Sequence, residues 1–173
     1  MTEKQGGVLA GMTVAMLITA ATIIAGLRLQ PAALLPHGAF PETLAAALRW
    51  DVLVVACLAA CIANLARHRF FTPEDIDGGG LVPGTKQAHV LQAILQNTLE
   101  QVVLAVGVHS LWAVVMPPAS QAVIPLAAIL FVVGRVVFAF GYSAGAPARA
   151  LGFGLTFYPT MVLLVMLLIA LAA

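Results

Sequence analysis

Charge is scarce in this chain. Lys, Arg, Asp and Glu together make up 9% of its 173 residues, against about a quarter in soluble domains. So few ionic groups cannot furnish a water-solvated surface, which excludes a soluble globular fold. The scarcity is also patterned, because residues 5–27, 52–66, 101–134 and 150–173 contain no charged side chain. A net charge of +1 leaves no basic face, which excludes nucleic acid as a partner. Cysteine is limited to Cys57 and Cys61, four apart on one face of an apolar run. That placement disfavours a disulfide and lacks the further ligands a metal would need. Both read as buried thiols, and no metal site is expected.

What the chain has in abundance is apolar sequence, 62% of all residues. A spanning helix needs about 20 mostly apolar residues, and five segments qualify: 8–29, 44–66, 87–116, 122–143 and 151–171. Prolines punctuate them. Pro31 and Pro36 follow the first, Pro41 precedes the second, and Pro117-Pro118 halts the third. Pro125 is tolerable in the first turn of the fourth, and Pro159 is expected to kink the fifth. The fold class is therefore an all-α integral membrane protein with five spans. The first run is longer than a signal-peptide core and lacks a small-x-small cleavage site, so it reads as a retained helix.

The substantial loop is 67–86. Thr72 before Pro73-Glu74-Asp75 reads as the N-cap of a short interfacial helix. Asp75, Asp77 and Gly78-Gly79-Gly80 read as a solvated turn, since the ligand spacing of an EF-hand is absent. With five crossings, Lys4, Arg67, Arg69, Lys86 and Arg149 fall on one side and Arg28 and Arg49 on the other. The positive-inside rule then places the N-terminus in the cytoplasm and the C-terminus outside, in the inner (plasma) membrane of a bacterium.

Glu100 and Arg135 stand out because each sits inside a long apolar stretch. An ionisable group at bilayer depth is costly and faces protein or water rather than lipid, so its default reading is functional. On the third helix His89, Gln92, Gln96 and Glu100 share a narrow face flanked by Asn97 and Gln101. On the fourth, Arg135, Phe138 and Tyr142 stack at three- and four-residue spacing. Glu100 and Arg135 are expected to pair across the two helices, which would offset the cost either meets alone. His109, near Trp112, reads as a packed or interfacial histidine. Asp51 with Arg49 reads as an interfacial charge pair at a helix end. Gly7-x-x-x-Gly11 permits close helix approach, though that pattern is common by chance.

Three motifs in order then resemble a known family. Asn97-Thr98-Leu99-Glu100, Gly134-Arg135 with Tyr142, and Pro147-Ala148-Arg149-Ala150-Leu151-Gly152-Phe153 look like the MAPEG family, membrane-associated proteins in eicosanoid and glutathione metabolism. The resemblance covers roughly residues 44–173 as a four-helix membrane domain, with 1–43 as an extra N-terminal helix and loop. It implies a homotrimer of such bundles, with glutathione held between neighbouring subunits. By motif matching, Asn97, Glu100, Arg135 and Tyr142 correspond to glutathione-binding residues, and Arg149 to the catalytic arginine that holds the sulfur as thiolate. The chain departs from the pattern at Ala93, Gln101 and Phe138, where members carry a basic residue and two tyrosines; Lys86, Gln92 and Gln96 are the candidate substitutes.

Two functions from different classes follow. One is a glutathione-dependent transferase or peroxidase acting on apolar electrophiles or lipid hydroperoxides at the bilayer. The other is a non-catalytic scaffold of the same fold that binds a membrane lipid or partner helix, with Glu100, Arg135 and Asn97 fixing helix register. A carrier is disfavoured because the chain shows no clear inverted repeat.

Overall fold

The computed structural model describes residues 1–29, 34, 38 and 40–172. Among them are five long helices: α1 (Glu3–Leu29), α2 (Glu42–Phe71), α3 (Lys86–Val115), α4 (Val123–Gly141) and α5 (Ala146–Ala172). All five are long and apolar enough to cross a membrane. The shortest, α4, has 19 residues, or about 28 Å at 1.5 Å per residue, close to the thickness of a hydrocarbon core. Large apolar side chains such as Leu17, Val52, Val103, Phe140 and Leu168 are exposed along the outer faces, as lipid-facing positions should be. Pro31 and Pro36, expected to end the first helix, lie outside the described residues, as does Ala173.

The ends of the helices differ from expectation for local reasons. α5 starts at Ala146 rather than at 151 because Pro147 sits in its first turn, where a missing N–H costs nothing. Gly145, at φ +102°, makes the break from α4 instead. α4 closes at Gly141, and its last turn tightens into a 3-10 turn over Tyr142–Ala144. α2 runs five residues further than expected, through Phe71, carrying Arg67 and Arg69 out of the apolar run. α5 continues through Pro159, which is buried.

The loop after α2 is built around a carboxylate. Asp75 is not a solvated turn residue, as expected from its glycine-rich surroundings, but is 1% exposed. Its Oδ1 accepts from the Thr85 backbone N–H at 2.7 Å, and its Oδ2 accepts from the Thr85 hydroxyl at 2.6 Å and meets His68 Nε2 at 2.8 Å. Thr72 makes no side-chain cap, and the short helix expected after it is a 3-10 turn of three residues, Pro73–Asp75. The cap that does form is Thr85, whose hydroxyl accepts from the Ala88 N–H at the start of α3. Asp75 therefore ties the last turn of α2 to the first of α3. The Thr85 hydroxyl, its backbone N–H and His68 hold the carboxyl below the usual aspartate range. Its folded pKa being depressed, the stabilisation is complete above the unfolded value of about 3.9 and lost as pH falls below it. Limited proteolysis should find the 72–85 loop protected at pH 7 and progressively less protected as pH falls below about 4, and Asp75→Ala cleaved already at pH 7. Equal protection of wild type and variant at pH 7 would contradict this anchoring role.

α2 packs on α3, α4 on α5, and α1 on α5 and α4. α1 reaches α5 through its glycines. A Cβ at Gly7 would meet the Pro147 ring at 2.9 Å, and one at Gly11 would meet the Leu151 nitrogen at 3.1 Å. The Gly7-x-x-x-Gly11 spacing is thus in use, letting backbones approach where larger side chains would hold them apart. At Gly134 a Cβ would meet Thr156 Cγ2 at 2.7 Å, so α4 and α5 cross closely next to Arg135. Gln87 and Ser143 share one cavity, and Val8 and Arg149 another. The N-terminal end of α1, the α2–α3 loop and the α4–α5 turn accordingly lie at the same end of the bundle.

The opposite half holds the main apolar core, with Ile23, Val108, Trp112, Ile124, Leu163 and Leu167. Within that half lies a polar pair that the sequence did not suggest. Asp51 does not pair with Arg49; its Oδ1 and His109 Nδ1 share a hydrogen bond at 2.6 Å, with both residues no more than 2% exposed. Residues two apart on a helix do not face each other. Arg49 is exposed while Asp51 lies on the buried face with Ala47 and Val54.

Candidate functional site

Arg135 organises the centre of the site. It is 5% exposed, with Nη1 donating to Asn97 Oδ1 at 2.9 Å and Nη2 donating to Thr156 Oγ1 at 2.6 Å. Its guanidinium lies over the Phe138 ring, 4.5 Å from the centroid. Three helices are joined at this one side chain: α3 through Asn97, α4 through Arg135 itself, and α5 through Thr156.

Glu100 is not its partner. It is exposed on the outer face of α3 and accepts from Gln96 Nε2 at 3.0 Å. Three residues advance a helix by about 300°, so Glu100 points some 60° away from Asn97. Asn97 turns inward to Arg135, and Glu100 stays with His89, Gln92 and Gln96 on an exposed polar stripe. The expected Glu100–Arg135 pairing does not occur within the chain, because neutral oxygens of Asn97 and Thr156 take its place.

Tyr142 and Arg149 continue outward from this centre. Tyr142 meets Phe138 edge to face at 5.4 Å, and the Arg149 guanidinium lies 4.4 Å above the Tyr142 ring, a cation–π contact. The 3-10 turn and Gly145 allow this contact, because they fold the start of α5 back against the end of α4. Phe138, where family members carry a tyrosine, loses a hydroxyl but contacts both Arg135 and Tyr142. Asn97, Tyr142 and Arg149 line one cavity of 420 Å³ with Phe138, Ala150 and Phe153, within the roughly 300–1,000 Å³ typical of small-molecule sites.

Four of the five expected site residues therefore come together. Asn97, Tyr142 and Arg149 line the cavity, Arg135 braces it from behind, and Glu100 stands apart. The candidate substitutes for the missing donors are elsewhere: Gln96 bonds to Glu100, and Gln92 accepts from Arg69 at 3.3 Å beside a separate 340 Å³ cavity under the glycine loop. Lys86 opens α3 and is exposed. Gln101, at another of the departing positions, is buried in the bundle. Thr156 is a contributor that sequence reasoning missed; its position four residues after Gly152 on the face opposing Gly134 was the available signal.

The chemistry this arrangement offers is that of an anion site at the edge of an apolar cavity. Among the described residues no carboxylate lies in ion-pair range of Arg149, so its charge is compensated only by the Tyr142 ring. A thiol or carboxyl group placed there would be favoured in its ionised form. A tripeptide bearing two carboxylates would find one guanidinium and one amide facing it, with Arg135 already committed.

The first helix also lines the site, through Val8 and Met12. In a comparison with known proteins, the family model described as the MAPEG family matches residues 7–169. The match takes in α1, ahead of the start at 44 read from the motifs. No curated protein and no solved structure matches the chain.

Proposed function

We propose that this chain, which belongs to the MAPEG family and is an integral multi-pass membrane protein, is a transferase or peroxidase that uses glutathione against apolar electrophiles. The observation that carries the reading is the cavity lined together by Asn97, Tyr142 and Arg149, whose guanidinium meets no carboxylate among the described residues. Arg149 would hold the glutathione sulfur as thiolate, lowering a pKa that is ordinarily near 8.5. Asn97 and Tyr142 would orient the tripeptide, and Arg135 would fix Asn97, which converts affinity into alignment. With a chloro-nitrobenzene, the thiolate forms a C–S bond at the carbon bearing chlorine, and chloride leaves with the C–Cl electron pair. With a lipid hydroperoxide, two thiols are oxidised to a disulfide while the hydroperoxide is reduced to alcohol and water.

We also propose that the protein is a homotrimer with its N-terminus in the cytoplasm of a bacterial inner membrane. Support for assembly comes from Glu100 and Gln96, polar and exposed at membrane depth, where such groups require protein or water rather than lipid. The Lys and Arg bias supports the orientation.

A thermal-shift titration in detergent tests the reading. Glutathione at 100 times its Kd should stabilise the protein by about 2.7 kcal/mol, and the same preparation should conjugate a chloro-nitrobenzene. Absence of both would sink the enzyme reading. The scaffold alternative draws on one observation, that every terminal Arg135 bond is internal to the bundle. It would then stand, with a lipid or a partner helix as ligand.

A further inference from the structure

The 340 Å³ cavity under the glycine loop between α2 and α3 shares no lining residue with the Arg149 cavity. Donors dominate its polar wall. Arg69 reaches it from the last turn of α2, and His89 and Gln92 from the first two turns of α3. Arg69 makes one side-chain bond, from Nη2 to Gln92 Oε1 at 3.3 Å, and meets no carboxylate among the described residues. The His89 imidazole has no partner within the chain. Gly79 and Gly80 present bare backbone: neither N–H donates to another group, and a Cβ at either would meet nothing within 4 Å. Asp75 is the acidic residue in the wall, but both its oxygens are taken by Thr85 and His68, which stand outside the cavity. Glu74 and Asp77, exposed on the same loop, do not line it.

A wall of uncommitted donors calls for a ligand made of acceptors. An oxyanion fits, because it would turn each of these contacts into a charge-assisted hydrogen bond. A guanidinium beside free backbone N–H groups is a recurrent cradle for phosphate. The depth of the cavity narrows the source of that phosphate. Arg69 lies three residues past Ala66, where the charge-free run of α2 ends. Phe70 and Phe71 follow it, and Ile76 and Leu81 stand on the loop, all strongly exposed. Such side chains suit a segment resting at the boundary between headgroups and acyl chains, whereas a free oxyanion would need no apolar rim. We propose that this cavity is a phosphate site for the headgroup of an anionic phospholipid, with Arg69, His89 and the Gly79 and Gly80 N–H groups holding the phosphodiester. The acyl chains then run down the apolar exterior of the bundle. Neither Arg69 nor His89 lines the Arg149 cavity, so phospholipid and thiol bind independently.

The test titrates the full-length protein by calorimetry in one non-ionic detergent, with three probes. Dioctanoyl phosphatidylglycerol carries phosphate and chains, dioctanoylglycerol the chains alone, and glycerophosphoglycerol the phosphodiester alone. The phospholipid should bind at least about tenfold tighter than either of the others. Arg69→Gln should weaken it by about tenfold or more, the loss expected for a hydrogen bond to a charged group. Arg69→Lys, which keeps the charge without the planar fork, should fall between that variant and wild type, and His89→Ala should cost about threefold. Arg67→Gln is the control: Arg67 is exposed two residues away and lines no part of the cavity, so its loss should stay within about threefold. Melting temperatures of the Arg69 variants close to wild type would confirm that the fold is intact, since Asp75 still anchors the loop. Equal binding of phosphatidylglycerol and dioctanoylglycerol overturns the phosphate site. So do equal losses in Arg67→Gln and Arg69→Gln, which would reduce the attraction to surface charge. Glycerophosphoglycerol binding as tightly as the phospholipid overturns the lipid as its source.

Discussion

Arg149→Ala should reduce conjugation at pH 7 by roughly 10–30-fold through ionisation alone. A thiol with a pKa near 8.5 is about 3% thiolate at pH 7, and a cation a few ångströms away that lowers this pKa by about two units brings it above half. The loss has a signature that separates it from damage to the fold. Removing the guanidinium moves the thiol pKa upward, so the deficit is largest at low pH and closes as pH rises past about 8.5. Arg149→Lys should restore much of the pH profile but less of the rate, since an ammonium keeps the charge and loses the planar geometry. Arg149 is half-buried and its contact is the Tyr142 ring, so thermal stability should stay close to wild type. Arg135→Ala is the contrasting variant. It strips Asn97 and Thr156 of their partner and should lower stability as well as activity. An Arg149→Ala protein with an unchanged pH–rate profile would show that thiolate stabilisation is not its role, and would favour the scaffold reading.

The spans were legible because membrane insertion imposes a one-dimensional constraint. A charge-free run of sufficient length can be read without knowing what packs on what, and all five runs are helices. The family was legible because its motifs are local, three short segments in order. What failed was the pairing of charges, while the stack of Arg135, Phe138 and Tyr142 formed as the spacing implied. Glu100 and Arg135 were joined on the ground that opposite charges at one depth should pair. The 60° between Asn97 and Glu100, and the availability of Thr156 on a third helix, decided otherwise. Arg49 and Asp51 were joined because they are neighbours in sequence, which on a helix places them on different faces. The fifth helix was expected to start at 151, although Pro147, compatible with a first turn, lies inside it. The contribution of α1 to the Arg149 cavity was invisible because apolar residues on a spanning helix look alike. Only the placement of Gly7 and Gly11 against α5 sets Val8 and Met12 beside that cavity.

His109→Leu should lower stability by about 3–5 kcal/mol, the cost of leaving a buried polar partner uncompensated. The hydrogen bond at 2.6 Å is not in itself a large net contribution, because burying both groups carries a desolvation cost that their attraction roughly offsets. The asymmetry makes the expected effect large. With His109 gone, Asp51 Oδ1 loses its partner, and Oδ2 already has none, so the whole carboxyl group is left unsatisfied among Val54, Ala47 and the core helices. Asp51→Val should be comparably damaging, since it orphans the imidazole. Replacing both residues, Asp51→Val with His109→Leu, removes the polar groups together and should recover most of the loss, giving a coupling of the sign and size expected for residues in contact. Unfolding in mixed micelles would read all four proteins. Deficits that simply add in the double variant would mean that the two side chains do not act as a pair. Because the pair lies in the half of the bundle opposite Arg149, the double variant should retain glutathione affinity. This links the coupling to packing alone and keeps it independent of the chemistry at the other end.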